Sequence, residues 1–165
     1  MATKIKPEGM RAWRAFLDAQ ASILRHLEAE LLAEEGMTLA EYDVLFQLAV
    51  ASERRLRMTE LSERVRLSRS GLTRLVDRLV EAGLLTRGHC QSDRRGTFAV
   101  LTPSGVDRVR RARPVHLRGV GRHFVERLSP DQLAAVAEAL EPLGEDMPKP
   151  RLAKPNGKQS GKLDR

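Results

Sequence analysis

Residues 58–102, MTELSERVRLSRSGLTRLVDRLVEAGLLTRGHCQSDRRGTFAVLT, constrain the fold of this chain more than any other stretch. Two short helical patterns are followed by a turn, an alternating run, a basic polar loop and a second alternating run. That order predicts a winged helix-turn-helix. The first helix is expected to start from Thr59 as its cap, with Glu60 in the first turn against the dipole, and to stop between Arg64 and Leu67. Ser68 offers a second cap. Beyond it Leu72, Leu75, Val76 and Leu79 recur at three- and four-residue spacing, so one stripe of the second helix can pack while the opposite face stays in water. Gly83 is expected to end this helix in the left-handed conformation that glycine tolerates.

The polar side of the second helix carries Arg69, Ser70, Thr73, Arg74, Asp77 and Arg78, next to the capping Ser68. Hydroxyls that bond base edges or phosphates, beside guanidiniums that fork onto guanine or phosphate, suit a helix lying in a DNA major groove. Residues 84–87 and 97–101 read as strands, Phe98 and Val100 alternating with Thr97 and Ala99. The loop between them holds Asp93, Arg94 and Arg95. An arginine there can enter a minor groove, drawn by its negative potential, and Asp93 can orient it through an ion pair; the alternative is a solvated hairpin tip.

Charge is distributed to match. The net charge is +7, yet residues 1–53 hold 5 basic and 9 acidic side chains, while residues 54–95 hold 11 and 5. Residues 96–147 balance at 7 and 7, and residues 148–165 hold 6 and 1. Positive charge thus concentrates on the reading head and on a tail, as expected where phosphate neutralisation drives affinity. Partnership with double-stranded DNA follows. Arg54, Arg55 and Arg57 lie in a connection that either touches phosphate or is simply solvated.

At 165 residues the chain has the length of one domain. Residues 1–9 read as a flexible arm and residues 10–36 as a long helix, with Met10, Trp13, Leu17, Leu24, Leu27 and Leu31 on one stripe and Phe16 and Ile23 beside it. So long an apolar face exceeds what a small winged helix can cover, and part of it is expected to meet a second copy. Thr38 and Glu41 form a capping box for the helix under the reading head, which completes a DNA-binding region over residues 37–102. Thr102 and Pro103 open a further helix, expected to bend at Pro114. Ser129 and Pro130 open a last one, ended by Gly144. Residues 103–146 are assigned, with the first helix, to dimerisation. Residues 147–165 hold few apolar side chains among Pro, Lys, Gly, Asn and Ser and read as a disordered basic tail, either a non-specific DNA attractant or an inert solubiliser. The expected class is mainly α with a small β-hairpin wing: a winged helix-turn-helix plus N- and C-terminal dimerisation helices.

Ser68 to Leu79 (SRSGLTRLVDRL), Glu81-Ala82-Gly83-Leu84, and Asp93-Arg94-Arg95 followed by Leu101-Thr102-Pro103-Ser104-Gly105 resemble the MarR family of bacterial transcriptional regulators, and the likeness extends over residues 10–143. The resemblance implies a triangular homodimer on pseudo-palindromic operators overlapping promoters, usually as a repressor. It also implies release of DNA when a small, often anionic aromatic effector enters a cleft between the dimer helices and the winged domain. Trp13, Arg14, Phe16 and Leu17 on the first helix and His116 on the fifth are the candidate effector residues. An arginine can fork onto a carboxylate, an imidazole can bond a phenol and an indole can stack; the alternative is that Trp13 and Phe16 are core and His116 an interface residue. A dimer is also what recognition needs, since one helix and one wing contact too few base pairs to select a site, and two-fold symmetry sets half-sites about 10 bp apart.

Other classes find less support. No phosphate-binding glycine loop, nucleophile elbow or metal motif occurs, so no enzyme, cofactor or metal site is expected. A winged helix serving only protein interaction would present a polar rather than a basic face, and an architectural, sequence-tolerant DNA binder stays open as the alternative. Cys90, near Arg87 and Arg94, is the single cysteine, and a thiol-based response through it is a further alternative. No apolar run reaches the roughly 18 residues of a membrane span, and no signal peptide is apparent, so a cytoplasmic protein without membrane contact is expected.

Overall fold

The computed structural model describes residues 5–65, 67–89 and 97–145. In chain order come α1 (Pro7–Glu35), α2 (Leu39–Ala49), a 3-10 turn (Ser52–Arg54), β1 (Arg55–Arg57), α3 (Met58–Arg64) and α4 (Arg69–Glu81). They are followed by β2 (Leu85–His89), β3 (Thr97–Leu101), α5 (Pro103–His123), a second 3-10 turn (Val125–Arg127) and α6 (Pro130–Glu145). Two compact units divide after Arg127, the second containing α6. The architecture is mainly helical with one small antiparallel sheet, a winged helix-turn-helix.

Local chemistry sets most of the boundaries. Pro7 opens α1, where its missing N–H costs nothing, and Gly36 closes it at φ +58°. Thr38 Oγ1 accepts from the Glu41 N–H (3.2 Å) while the Glu41 carboxylate accepts from the Thr38 N–H (2.9 Å), the reciprocal cap expected for α2. A third bond comes from outside that motif, the Leu39 N–H donating to Glu28 Oε2 of α1 (2.6 Å). Ser68 Oγ caps α4 by accepting from Gly71 N–H (3.1 Å). At the other end Gly83 turns at φ +71°, and the Gly83 and Leu84 N–H groups return to the Val80 and Leu79 carbonyls.

The core of this first unit runs through every layer. Leu31 of α1, Val44, Leu45 and Leu48 of α2, Leu61 of α3, the Leu72–Leu75–Val76–Leu79 stripe of α4, Leu85 and Ala99 of the sheet, and Ala112 and Val115 of α5 are all buried. Each large aliphatic side chain so buried contributes about 1.5–3 kcal/mol. α5 runs antiparallel to α1. Gly119 lets them close, since a Cβ there would lie 2.5 Å from Leu27 Cδ2. Arg108, Arg118 and Arg122 of α5 then pair with Glu35 (2.6 Å), Glu34 (2.5 Å) and Glu30 (2.9 Å) of α1, and Arg108 also donates to the Glu35 carbonyl at the negative end of α1.

Several elements differ from the sequence reading. α3 starts at Met58, not from a Thr59 cap: Arg57 is extended, and its N–H donates to the Glu60 carboxylate (3.0 Å), so the strand end itself serves as the cap. Residues 52–57 are not a plain connection. They add β1 to the sheet in the order β1-β3-β2, with Leu56 opposite Ala99 and Arg57 opposite Phe98. A three-residue strand is too short to show alternation, which is why the wing reads as a two-stranded hairpin in the sequence. α1 begins at Pro7, before Met10, and β2 at Leu85, because Leu84 is still bonded back to α4. Gly144 lies inside α6 rather than ending it, since it does not adopt the positive φ that Gly36 and Gly83 do.

The Leu-Thr-x-x-Gly motif has a structural reason. Thr102 Oγ1 accepts from the Gly105 N–H (3.0 Å) and donates toward the Gly83 and Leu84 carbonyls (2.8 and 3.0 Å), joining the end of α4 to the start of α5. A Cβ on Gly105 would stand 2.3 Å from the Leu84 carbonyl oxygen. Gly105→Ala is therefore expected to destabilise the protein by about 1–3 kcal/mol, read as a lower urea midpoint at unchanged m-value; an unchanged midpoint would show that the junction can shift at no cost.

Candidate nucleic-acid interface

α4 is anchored by Leu72, Leu75, Val76 and Leu79, all buried, and that fixes which side of the helix is left in water. Ser68, Arg69, Ser70, Thr73, Arg74, Asp77 and Arg78 are all exposed. Their side chains differ in how far they are committed. The Ser68 hydroxyl is used as the helix cap and lies 3.3 Å from Ser70 Oγ, while Thr73 Oγ1 donates to the Arg69 carbonyl (2.9 Å). Arg69, Arg74 and Arg78 make no ion pair with any of the described residues, so this face presents three uncompensated guanidiniums.

Asp77 does not stand alone. Its Oδ1 takes the Arg87 guanidinium of β2 at 2.5 Å, tying the middle of α4 to the base of the wing. Sequence reading placed Asp77 on the recognition face and passed over Arg87. The available signal was strand alternation: Arg87 is two residues from buried Leu85 and so points to the same face, toward the helices. On the other face Arg55 and Arg57 place their guanidiniums 5.4 and 5.3 Å from the centre of the Phe98 ring, an arrangement that depends on β1. Arg55 also pairs with Glu53. Cys90, Asp93, Arg94 and Arg95, and the tail of residues 147–165, lie outside the described residues.

The effector candidates fall in two places. Trp13 stacks on Phe16 with centroids 6.1 Å apart, and both are exposed on α1 together with Arg14 and Leu17. His116 of α5 is stacked on Tyr42 of α2 at 4.5 Å, with its Nδ1 buried and without a hydrogen-bond partner among the described residues. The last residue of α5, His123, stacks on His26, so Trp13 lies about 20 Å farther along α1, beyond the end of α5. Within one protomer the two groups are therefore not brought together. Burial holds the His116 imidazole below its ordinary pKa of 6.5 and raises the Tyr42 phenol.

A helix-turn-helix backed by a three-stranded winged sheet, with a cationic recognition face, defines a winged helix-turn-helix protein. A MarR family model matches residues 35–96. The chain is 34% identical to AbsC, a MarR family transcriptional regulator from Streptomyces coelicolor, with a TM-score of 0.80 over 87% of this chain and 97% of that one. It is also 34% identical to Sco3205, a MarR family transcriptional regulator from the same organism solved in complex with DNA, with a TM-score of 0.83 over 92% and 94%. The HTH-type transcriptional repressor YetL of Bacillus subtilis is 29% identical over 93 residues, and the match spans just over half of that relative, 56% of each chain. The chain belongs to the MarR family of transcriptional regulators, which are not enzymes. Among the described residues no helix is long and apolar enough to cross a membrane.

Because the folded state holds His116 neutral at a pH where the unfolded side chain takes a proton, its contribution to stability is complete above about pH 6.5 and is lost as the pH falls below that. Melting temperature is expected to fall between pH 7 and pH 5, and to fall less in His116→Phe, which keeps the stack on Tyr42. The same slope in both proteins would assign the pH dependence elsewhere.

Proposed function

We propose that this regulator is a homodimeric, sequence-specific repressor that places its two α4 helices in successive major grooves of a pseudo-palindromic operator and lets go when a small molecule binds. The observation that carries the DNA-binding half is the face of α4: Arg69, Arg74 and Arg78 uncompensated beside Ser70 and Thr73, on a helix whose other side is fully packed. Guanidiniums and hydroxyls at a helix surface read base edges and grip phosphate. Asp77 serves by holding Arg87 rather than by touching DNA, since a free carboxylate beside phosphate would be repelled. Arg94 and Arg95, with Asp93, are assigned to the adjacent minor groove by their place in the loop. A DNA complex of a relative 34% identical, and the repressor role in the name of the Bacillus relative, agree with this reading.

The dimer half rests on α1. Trp13, Phe16, Leu17 and Leu24 are 53%, 41%, 40% and 40% exposed on the part of the helix that reaches beyond α5. An apolar stripe of that length in water is the signature of an interface between copies, one of about 2,000 Å² or more if the dimer is obligate. In such a dimer Trp13 and Arg14 of one copy come to a ligand near His116 only if they approach the other copy. That is the effector arrangement proposed.

Binding of the purified protein to its own upstream intergenic DNA, against scrambled competitor at about 150 mM salt, tests the reading. A competitor-resistant footprint of palindrome size is expected. Equal displacement by scrambled DNA would favour a sequence-tolerant architectural binder instead. Arg74→Ala and Arg94→Ala are each expected to weaken operator binding by about 1–3 kcal/mol, and full affinity in either would remove that residue from the interface.

A further inference from the structure

A small notch lies where the first turns of α3 and α4 meet. It has a volume of about 140 Å³, well under the ~300–1,000 Å³ of small-molecule sites, and is lined by Met58, Thr59 and Ser62 of α3 and by Arg69, Leu72 and Thr73 of α4. Leu72, 1% exposed, is its floor, and Met58 is partly buried against the same core. Arg69 and Thr73 are exposed on the polar face of α4, so the notch opens on the side that this helix turns to water.

Its chemistry is less polar than the residue types suggest. The Ser62 hydroxyl donates to the Thr59 carbonyl (2.7 Å) and the Thr73 hydroxyl to the Arg69 carbonyl (2.9 Å), each within its own helix. Both protons are thus committed, and a phosphate oxygen, which can only accept, finds no donor in either. What Thr73 still offers the notch is its γ-methyl, beside the Met58 chain and Leu72. Apolar carbon gains by covering apolar carbon, and among the four bases only thymine presents any in the major groove, its 5-methyl group. We propose that the notch receives the 5-methyl group of one thymine in each half-site, which makes Met58 and Thr73 specificity-determining residues.

The proposal rests on the DNA-binding reading above and adds which base pair is read. Arg69, at the rim, makes no ion pair with any described residue and can hold the sugar-phosphate backbone beside that base. A base without the methyl group leaves the carbon of Met58, Leu72 and Thr73 facing water. Covering one methyl group is worth about fourfold in affinity, and a two-fold dimer uses the contact twice, about 16-fold in all.

An operator selected from random-sequence duplexes by the full-length protein tests this. Each thymine of the selected site is replaced in turn by deoxyuridine, which lacks only the methyl group, and binding is read at about 150 mM salt. One thymine per half-site is expected to lose about fourfold, and the symmetric pair together about 16-fold. At that position 5-methylcytosine should bind about fourfold tighter than cytosine, which separates the methyl group from the rest of the base. In Thr73→Ser, which keeps the hydroxyl and removes the γ-methyl, the thymine-to-deoxyuridine ratio should fall close to one, whatever happens to affinity overall. Met58→Ala should lower the same ratio, with its melting temperature showing that it is folded. Indifference to deoxyuridine at every thymine, a selected site without thymine, or a ratio unchanged in Thr73→Ser would overturn the notch and leave the DNA-binding reading standing. Failure to select any duplex would overturn that reading, and this proposal with it.

Discussion

The hydrogen bonds of Thr102 are the constraint on which the rest of the architecture depends. One side chain and one backbone N–H tie the Gly83–Leu84 turn that ends α4 to the first turn of α5. The bond to the Leu84 carbonyl is partly buried and the one to Gly83 exposed, and Gly105 allows the backbones to approach to a distance that no larger residue permits. As a result the end of α4 and the start of α5 are held against each other. The junction thus links α5, which packs on α1, directly to the end of α4.

Charge in this protein is sorted by partner rather than by number. α5 carries many arginines, yet Arg108, Arg118 and Arg122 are taken by the glutamates of α1, where they hold two long helices in register. Exposed pairs of this kind contribute little each, about 0–1 kcal/mol. Arg108 and Glu35 are the more enclosed, and Arg108 also satisfies a carbonyl at the end of α1. Arg69, Arg74 and Arg78 of α4 make no ion pair with any described residue, and Asp77 on the same helix is engaged by Arg87. Two surfaces with similar composition therefore differ in what they offer: one is a neutralised seam, the other a cationic face.

His116 is a packed residue stacked on Tyr42 and not an open ligand arm, whereas Trp13 and Phe16 stand in water beyond the end of α5.

What the sequence determined by itself is everything governed by short-range periodicity and capping. The two faces of α4 follow from Leu72, Leu75, Val76 and Leu79 at helical spacing. The caps at Thr38, Ser68 and Thr102 follow from a hydroxyl before an apolar run, and the ends at Gly36 and Gly83 from glycine's access to positive φ. Only the tertiary structure decided which distant groups meet. β1 is three residues long and exists because β3 pairs with it, Arg57 caps α3 because the strand ends there, Asp77 turns out to belong to Arg87, and the α5 arginines to the α1 glutamates. The ion pairs among these lie 10 to 92 residues apart in the chain, where periodicity carries no information and only the packing of the elements brings the charges within reach.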